Sequence, residues 1–164
     1  MVDDVIIARI IHVLAVVLWI GGVGFVTTVL LPAVRQLKAP RERVAFFEKV
    51  EQRFAGQARA TTVLAGLSGL YMVERLNLWS RFSSPQFWWM HAMVAIWAVF
   101  SFMLFIAEPL FAHKYFVARA EKQPESTFRI VQLLHWLLML VSLVTMAGAL
   151  AGAHGASFFP FEQK

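Results

Sequence analysis

Residues 5–34 form a long apolar run, and this run limits what the chain can fold into. It contains a single charged side chain, Arg9, and a single histidine, His12. A helix of roughly 20 mostly apolar residues crosses the hydrocarbon core of a bilayer. The whole chain is 59% hydrophobic and 15% charged, whereas soluble domains are about 45–50% apolar and about 25% charged. The run therefore predicts an integral membrane protein, with the lipid bilayer as its surroundings.

Three more segments have the composition of spanning helices. The predicted spans cover about 5–34, 58–76, 85–112 and 128–153, within one domain of residues 1–164. Short connections place consecutive helices side by side in opposite directions. We therefore predict an all-α fold, an integral membrane antiparallel four-helix bundle.

Basic residues set the predicted orientation. Seven basic and three acidic side chains lie from Arg35 to Arg59, and four basic side chains lie from Lys114 to Arg129. Because cytoplasmic loops carry an excess of lysine and arginine, both of these connections are predicted in the cytoplasm and both termini outside. In a bacterium this describes an inner-membrane protein with periplasmic termini. The net charge of +5 is assigned to this asymmetry, and no nucleic-acid partner is predicted.

The first connection is predicted to contain an amphipathic helix. Val44, Phe47 and Phe54 recur at helical spacing among charged residues, and Pro40 suits a first helical turn. This helix either lies in the membrane interface or extends span two into solvent.

Small residues in span four predict a close helix contact. Gly148 and Gly152 are four residues apart, a spacing that lets two helices approach closely. The contact lies either inside the bundle or between subunits, so a homo-oligomer through these glycines is among the predictions.

Two histidines lie at similar depth in different predicted spans. His12 lies about 10 Å below the outer end of span one, at about 1.5 Å per residue, and His91 lies near the outer end of span three. An ionisable residue inside a span indicates a functional site, and neutral imidazole binds iron, copper and zinc. The pair predicts either a bis-histidine haem b site near the outer leaflet or hydrogen bonding between helices. His135 and His154 are the alternative ligands.

The helix face of His12 supplies further candidate residues. Residues at helical spacing share this face; they are His12, Ala15, Val16, Trp19, Gly22 and Val26. The predicted porphyrin slot is lined by Trp19, Gly21, Gly22, Val94 and Ala98. Arg9 lies one turn nearer the outside and is the predicted partner of a haem propionate, with Arg75 and Arg81 as further candidates. Alternatively, Arg9 extends its guanidinium group to the interface.

Other chemistry is restricted by composition. The chain has no cysteine, which excludes disulfides, thiolate metal sites and iron–sulfur clusters. Thioether ligands suit Cu(I), but the seven methionines form no repeated motif. Copper stays an alternative to haem. Glu108, which precedes Pro109, is predicted either to pair with Arg35 or Arg129 or to accept protons from the cytoplasm.

The motifs of these spans resemble a known membrane family. The segment IIHVLAVVLWIGGVGFVTTVLLPAV resembles the first helix of the copper-resistance protein D (CopD-like) family, in which a histidine is followed seven residues later by W-x-G-G; here these are His12 and Trp19-Ile20-Gly21-Gly22. RFAGQARATTVLAGLSGLYM is similar to the second helix of that family, with Ser68-Gly69 near its end. The related HemJ-type protoporphyrinogen oxidases carry W-L-H-x-K in helix three. Trp89-Met90-His91-Ala92-Met93 resembles this pattern, with methionine in place of lysine.

This resemblance implies a four-helix core and haem b. The HemJ-type proteins bind haem b and need the helix-one histidine, which implies a haem role for His12 and, by position, for His91. The expected function is electron transfer or an oxidoreductase reaction through a bis-histidine haem b, with quinol or a porphyrin as the partner. Copper resistance or transport and HemJ-like protoporphyrinogen oxidation are the alternatives.

Overall fold

The computed structural model describes residues 3–36 and 39–156, and these residues form an all-α structure. Residues 1–2, 37–38 and 157–164 of the predicted domain lie outside the described residues. The helices of the described part are α1 (Asp4–Gln36), α2 (Pro40–Arg75), α3 (Trp88–Phe102, continued by the π-helical turns Met103–Ala112), α4 (His113–Lys122) and α5 (Pro124–Ala153). Val26–Leu30 within α1 is also π-helical, and the 3-10 turns Trp79–Ser83 and Pro85–Phe87 lead from α2 to α3.

Local chemistry accounts for the helix boundaries. Asp3 caps α1, because its carboxylate accepts a hydrogen bond from the N–H of Val5 at 3.1 Å. Helices α2 and α5 begin at Pro40 and Pro124. In the first turn of a helix the backbone N–H has no acceptor within the helix, so the missing N–H of proline costs no hydrogen bond there. After α2, Asn77 adopts a φ of 50°, a left-handed conformation that asparagine tolerates. The chain then turns back toward α3.

Three helices of the described part are long and apolar enough to cross a membrane. They are Asp4–Gln36, Pro85–Phe111 and Pro124–Ala153, which match the predicted spans at 5–34, 85–112 and 128–153. Their outward faces are apolar, since Leu14, Leu110 and Leu133 expose 57%, 67% and 68% of their surface. By length and composition these three helices are therefore candidate membrane spans, which is consistent with a membrane protein.

The predicted span at 58–76 is not among these three. It is the second half of α2, and polar side chains lower its hydropathy; they are Arg59, Thr61, Thr62, Ser68, Tyr71, Glu74 and Arg75. Thr61, Thr62 and Ser68 are buried, and Thr61 and Ser68 donate to carbonyl groups one turn earlier in the same helix. Hydroxyl groups bonded in this way are tolerated in apolar surroundings. These three residues therefore lie on the packed side of the helix.

Helices α1 and α2 run antiparallel and pack together along most of their length. The hydroxyl of Tyr71 donates to Asp4 at 2.6 Å near the start of α1. Farther along α1, Gln57 Nε2 lies 3.4 Å from the carbonyl of Leu18. As the residue number increases along α1, the number of the contacting residue in α2 decreases, so the two helices run in opposite directions.

Helix α3 runs antiparallel to α2. The indole N–H of Trp97 donates to the carbonyl of Thr62 at 2.9 Å, and later in α3 Glu108 pairs with Arg59. Helix α5 then packs against α3 and α1, and its Gln132 accepts a hydrogen bond from Arg35 at 2.8 Å.

Two buried clusters fill the space between the helices. The first lies in the apolar half and comprises Ala15, Trp19, Ile20, Val23, Ala65, Phe100 and Met139. The second lies toward the basic connections and comprises Val26, Leu30, Leu31, Val34, Val44, Phe47, Ala120 and Phe128. Burial of Ala15, Trp19 and Val26 confirms the predicted packed face of α1.

The first half of α2 belongs to the second cluster. Val44 and Phe47 are buried there beside Val34 and Phe128, and the segment is continuous with the rest of Pro40–Arg75. The predicted amphipathic helix is therefore present and is continuous with span two, and α1, α4 and α5 also continue at this end and cover its apolar face. Its position relative to the membrane interface stays a prediction.

Aromatic rings fill the spaces beside five helix glycines. The pairs are Gly22 with Phe54, Gly66 with Trp97, Gly69 with His12, Gly148 with Trp88, and Gly152 with Trp89. In every pair a Cβ on the glycine would stand 3.2 Å or less from a ring atom. The close approach predicted at Gly148 and Gly152 thus lies within the chain, between α3 and α5. Association of two copies through these glycines stays a prediction.

We expect Gly22→Ala to destabilise the protein and Gly21→Ala to leave it unchanged or more stable. A Cβ at Gly22 would lie 2.2 Å from Cε2 of Phe54, whereas one at Gly21 would meet nothing within 4 Å. Overpacking costs about 1–3 kcal/mol, while alanine is favoured over glycine in a helix by about 1 kcal/mol. Thermal unfolding in detergent should therefore occur at a lower temperature in Gly22→Ala, and at the wild-type temperature or above it in Gly21→Ala. Equal shifts would contradict the packing of Phe54 on α1.

Candidate functional site

His12 is held between α1 and α2. Its Nδ1 lies 2.9 Å from the carbonyl oxygen of Ala65 and 3.2 Å from Oγ of Ser68. Its ring rests on Gly69, where a Cβ would come within 3.2 Å of Cε1. Two polar atoms and the missing side chain of the glycine therefore hold the partly buried imidazole in one orientation.

These hydrogen bonds determine the tautomer of His12. A carbonyl oxygen only accepts, so Nδ1 carries the proton and donates it to Ala65, and Nε2 holds the lone pair. Metal-binding histidines commonly donate one ring N–H to a carbonyl group and coordinate through the other nitrogen. His12 therefore has the arrangement of a metal or haem ligand.

His91 makes different contacts. Its side chain is exposed, and its ring meets Phe82 edge-on, with 5.3 Å between the ring centroids. Among the described residues, no hydrogen bond links the imidazoles of His12 and His91. Hydrogen bonding between helices was the predicted alternative to a haem site. Such a bond is present, and it joins His12 to Ala65 rather than to His91.

The predicted cations occupy separate positions. Arg9 is exposed, because the packed stripe of α1 passes through Ala8 and not through Arg9, and no residue of the described chain forms an ion pair with it. Arg75 pairs with Asp4 at 2.8 Å. Asp4 precedes His12 by eight residues, which places this pair about 12 Å from His12 toward the N-terminal end of α1.

Arg81 also has a defined partner. Its guanidinium carbon lies 4.9 Å from the ring centroid of Phe87, a cation–π contact within the turns that precede α3. Arg81 and His91 therefore belong to the same outer aromatic segment.

The predicted porphyrin slot is filled by side chains of the core. Trp19 is 4% exposed and meets Phe100 edge-on at 4.9 Å between centroids, while Phe54 occupies the space beside Gly22. Val94 is exposed on the outside of α3. Within the described residues, the buried Nε1 of Trp19 has no hydrogen-bond partner. The slot is a packed interface that retains one unsatisfied donor.

An open groove lies on the α1–α2 surface beside His12. Its volume is about 320 Å³, and it is lined by Asp4, Ile7, Ala8, Ile11, Leu64, Leu67, Ser68 and Tyr71. Ser68 is also the residue whose hydroxyl contacts Nδ1 of His12. Small-molecule sites usually measure about 300–1,000 Å³, so the groove is at the small end of that range.

The other histidines have partners of their own. Nδ1 of His135 lies 2.9 Å from the carbonyl of Val131, and Nδ1 of His154 lies 2.8 Å from that of Leu150. His113 instead faces Glu48. In residues 3–36 and 39–156, no three histidine, aspartate or glutamate side chains converge in a way that would hold a metal ion.

Glu108 pairs with Arg59, so the predicted pairing with Arg35 or Arg129 is wrong. Arg59 Nε also donates to the carbonyl of Leu104 at 3.1 Å. In a π-helix that carbonyl would accept from the N–H five residues later, but that residue is Pro109, which has none. Arg59 supplies the missing donor. The sequence did contain a signal for this contact. An arginine in one apolar segment lies at the same depth as a Glu-Pro pair in the neighbouring apolar segment.

The residues present fit a haem at its axial ligand but do not form an enclosed pocket for it. His12 has the tautomer and fixed orientation that coordination needs, and an unsatisfied indole donor lies two turns along the same face. The space predicted for the macrocycle is occupied by Phe54 and Phe100. Comparison with protein-family models, with curated proteins and with solved structures gives no match, so membership of the CopD-like or HemJ-like family stays a prediction.

Proposed function

We propose that this chain is a membrane protein that binds haem b through His12 near the outer leaflet and uses it for electron transfer. The observation that supports the proposal most directly is the contact of 2.9 Å between Nδ1 of His12 and the Ala65 carbonyl. This contact leaves Nε2 as the coordinating nitrogen of a neutral imidazole. An ionisable residue at this depth is costly without a function.

The proposed architecture is an antiparallel four-helix transmembrane bundle. The second half of α2 would be the fourth span, because it packs beside α1 and turns its hydroxyl groups inward. The basic connections favour both termini outside, which in a bacterium means the periplasm. A reporter enzyme that is active only outside the cytoplasm should be active when it is fused to either terminus. Activity at only one terminus would refute this orientation.

The residues around His12 have separate proposed roles. The Ala65 carbonyl and the Ser68 hydroxyl orient the imidazole, and such partners raise the basicity of a ligating histidine. Arg75, held by Asp4, is the proposed partner of a propionate. Bound haem would supply a one-electron couple between Fe(III) and Fe(II).

His91 is the residue that would bind the haem iron together with His12. Its imidazole is exposed and touches only a ring edge in the described structure, and no described residue holds it by a hydrogen bond. Rotation of the His91 side chain away from Phe82 would therefore break only this ring contact among the described residues. His135 and His154 are less suited by position: His135 lies in the half of α5 nearer the basic connections, and His154 is exposed after the end of α5.

A quinol is the proposed electron donor. The groove beside Ser68 has apolar walls from Ile7, Ile11 and Leu64 and a polar outer end at Tyr71, which suits an apolar molecule with a hydroxylated ring. Copper handling is the alternative, although the seven methionines form no repeated motif.

An absorption spectrum tests the proposal. Protein purified in detergent from haem-replete cells should show a Soret band, with sharp visible bands after reduction. Metal analysis on the same sample should give iron in proportion to protein. A sample without a Soret band, or one with stoichiometric copper and no iron, would overturn the haem assignment.

A further inference from the structure

One face of α2 lies on the outside of the bundle from Lys49 to Leu67. Six residues spaced three or four positions apart share this face, and all six are exposed. We call it the exposed stripe of α2; it comprises Lys49, Arg53, Gly56, Ala60, Val63 and Leu67. Along the helix its chemistry changes from two cations, through two small residues, to two aliphatic side chains.

The two cations of the stripe have no anionic partner in the described chain. Lys49 and Arg53 lie one helical turn apart, so their charged groups can reach one anion together. Among the described residues, no carboxylate forms an ion pair with either of them. Arg59 on the same helix, by contrast, turns inward and binds Glu108. The stripe therefore presents a double positive charge to the surroundings of the protein.

The uncharged part of this face has the length of a bilayer. Between Arg53 and Glu74 the only charged residue is Arg59, which points into the bundle. Arg53 and Glu74 are about 32 Å apart along the helix at about 1.5 Å per residue, and the hydrocarbon core of a bilayer is about 30 Å thick. With the second half of α2 as a span, Arg53 lies at the inner boundary of the hydrocarbon, where the lipid phosphates are. This step rests on the proposed fourth span and not on haem binding.

Open space lies beside the cations on the membrane side. A Cβ on Gly56 would meet nothing within 4 Å, and the same holds for Gly21 of α1, which is one turn from the Leu18 carbonyl that contacts α2. Both glycines are exposed, so no side chain of the bundle occupies the space next to them. Farther along the stripe, Val63 and Leu67 expose 43% and 64% of their surface. The stripe thus offers room beside its charges and an apolar surface beyond them.

We propose that the exposed stripe of α2 binds an anionic phospholipid of the inner leaflet, with the lipid phosphate between Lys49 and Arg53 and an acyl chain along Gly56, Val63 and Leu67. The planar guanidinium of Arg53 matches the oxygens of a phosphate in a bidentate arrangement, and Lys49 adds a second positive charge. Phosphatidylglycerol has this chemistry, since its headgroup carries the phosphate and no cation. The choline of a zwitterionic lipid is repelled by the same pair.

A second copy of the chain is the less suitable occupant of this face. Two copies in one membrane have parallel α2 helices, and a symmetric interface brings the same surface patch of both subunits together. Contact along the stripe would place Lys49 and Arg53 of both copies next to each other without a carboxylate between them. The charge of the stripe therefore favours a phosphate over a symmetric dimer.

Native mass spectrometry of the purified full chain in detergent tests the proposal. Phosphatidylglycerol should form a complex of one lipid per protein at a lower concentration than phosphatidylcholine with the same acyl chains. A basic residue at the membrane surface strengthens the binding of anionic lipid about fivefold, so the double variant Lys49→Gln, Arg53→Gln should bind phosphatidylglycerol about 25-fold more weakly. Equal binding of the two lipids by the wild type, or unchanged binding by the double variant, would overturn the proposal.

A matched double variant separates a site from a general effect of net charge. Lys122→Gln, Arg129→Gln removes the same two charges at exposed positions of the same end of the molecule, and it should keep the affinity for phosphatidylglycerol. Equal losses in the two double variants would rule out a site on α2. Circular dichroism of both variants confirms that they are folded.

Two further outcomes would contradict the choice of occupant. Inorganic phosphate in excess should leave the lipid bound, because it has no acyl chain to contact the apolar part of the stripe; displacement of phosphatidylglycerol by phosphate would overturn the assignment to a lipid. The measured masses also report the oligomeric state, and a wild-type dimer that takes up no phosphatidylglycerol would assign the stripe to a second copy. Haem content is read separately from the absorption spectrum, so failure of the haem proposal leaves this test unaffected.

Discussion

His12→Ala should remove the haem absorption of the purified protein. The substitution deletes the coordinating Nε2 together with the Nδ1–H that bonds Ala65. Loss of a hydrogen-bonding partner outside the coordination sphere alone typically costs about 10–100-fold in metal affinity, so loss of the ligand itself should cost more. The measurement is the ratio of haem to protein after purification, with the Soret band as the readout.

His154→Ala is the matched control for this experiment. Its Nδ1 also bonds a backbone carbonyl, at 2.8 Å, but the residue is exposed after the end of α5. Haem content should be unchanged in this variant. Circular dichroism of both variants separates loss of haem from loss of folding, and a folded His12→Ala protein with full haem content would contradict the role of His12.

Arg59→Met should cause the largest loss of stability among single substitutions at the charged positions of the described chain. It leaves the Leu104 carbonyl without a donor and Glu108 without its cation. An unsatisfied buried group costs about 1–3 kcal/mol. The side chains of the ion pair expose 37% and 26%, which limits the further cost of separating it. We expect about 3 kcal/mol in total, measured by unfolding in detergent.

Two variants test whether the loss of stability in Arg59→Met comes from the contacts of Arg59 with Leu104 and Glu108. Arg53→Met alters an exposed arginine on the same helix and should change stability by less than about 0.5 kcal/mol. Glu108→Gln should be milder than Arg59→Met, because the amide oxygen still accepts from Arg59 and the Leu104 carbonyl keeps its donor. Equal effects of Arg59→Met and Arg53→Met would show that the π-helical turn does not need Arg59.

Much of the fold could be predicted from local composition. The apolar runs of α1, α3 and α5 are long enough to be recognised from the sequence as candidate spans. The periodicity of α1 placed Ala15 and Trp19 on its packed side. The polar residues of α2 were a weaker signal, since Thr61, Thr62 and Ser68 are buried inside the bundle. The first half of α2 was recognisable as an amphipathic helix, but the helices that cover its apolar face come from distant parts of the sequence.

The candidate site could be predicted only in part. His12 stood out as an ionisable residue in an apolar run, but its acceptor, Ala65, has no polar side chain that could have indicated it. Gly22 suggested a space for a ligand, whereas Phe54, 32 positions later in the chain, fills that space.

The sequence by itself determined the helical class, three apolar helices long enough to span a membrane, the charge asymmetry of the connections and the choice of His12 as a candidate ligand. These properties follow from composition and from the 3.6-residue period of a helix, which act within about 20 residues. Only the tertiary structure decided the partners of these residues, because a contact between helices depends on their relative rotation and register. His12 meets Ala65 across 53 positions, and Arg59 meets Glu108 across 49. No local period specifies such a match, and it appears only when the helices are packed.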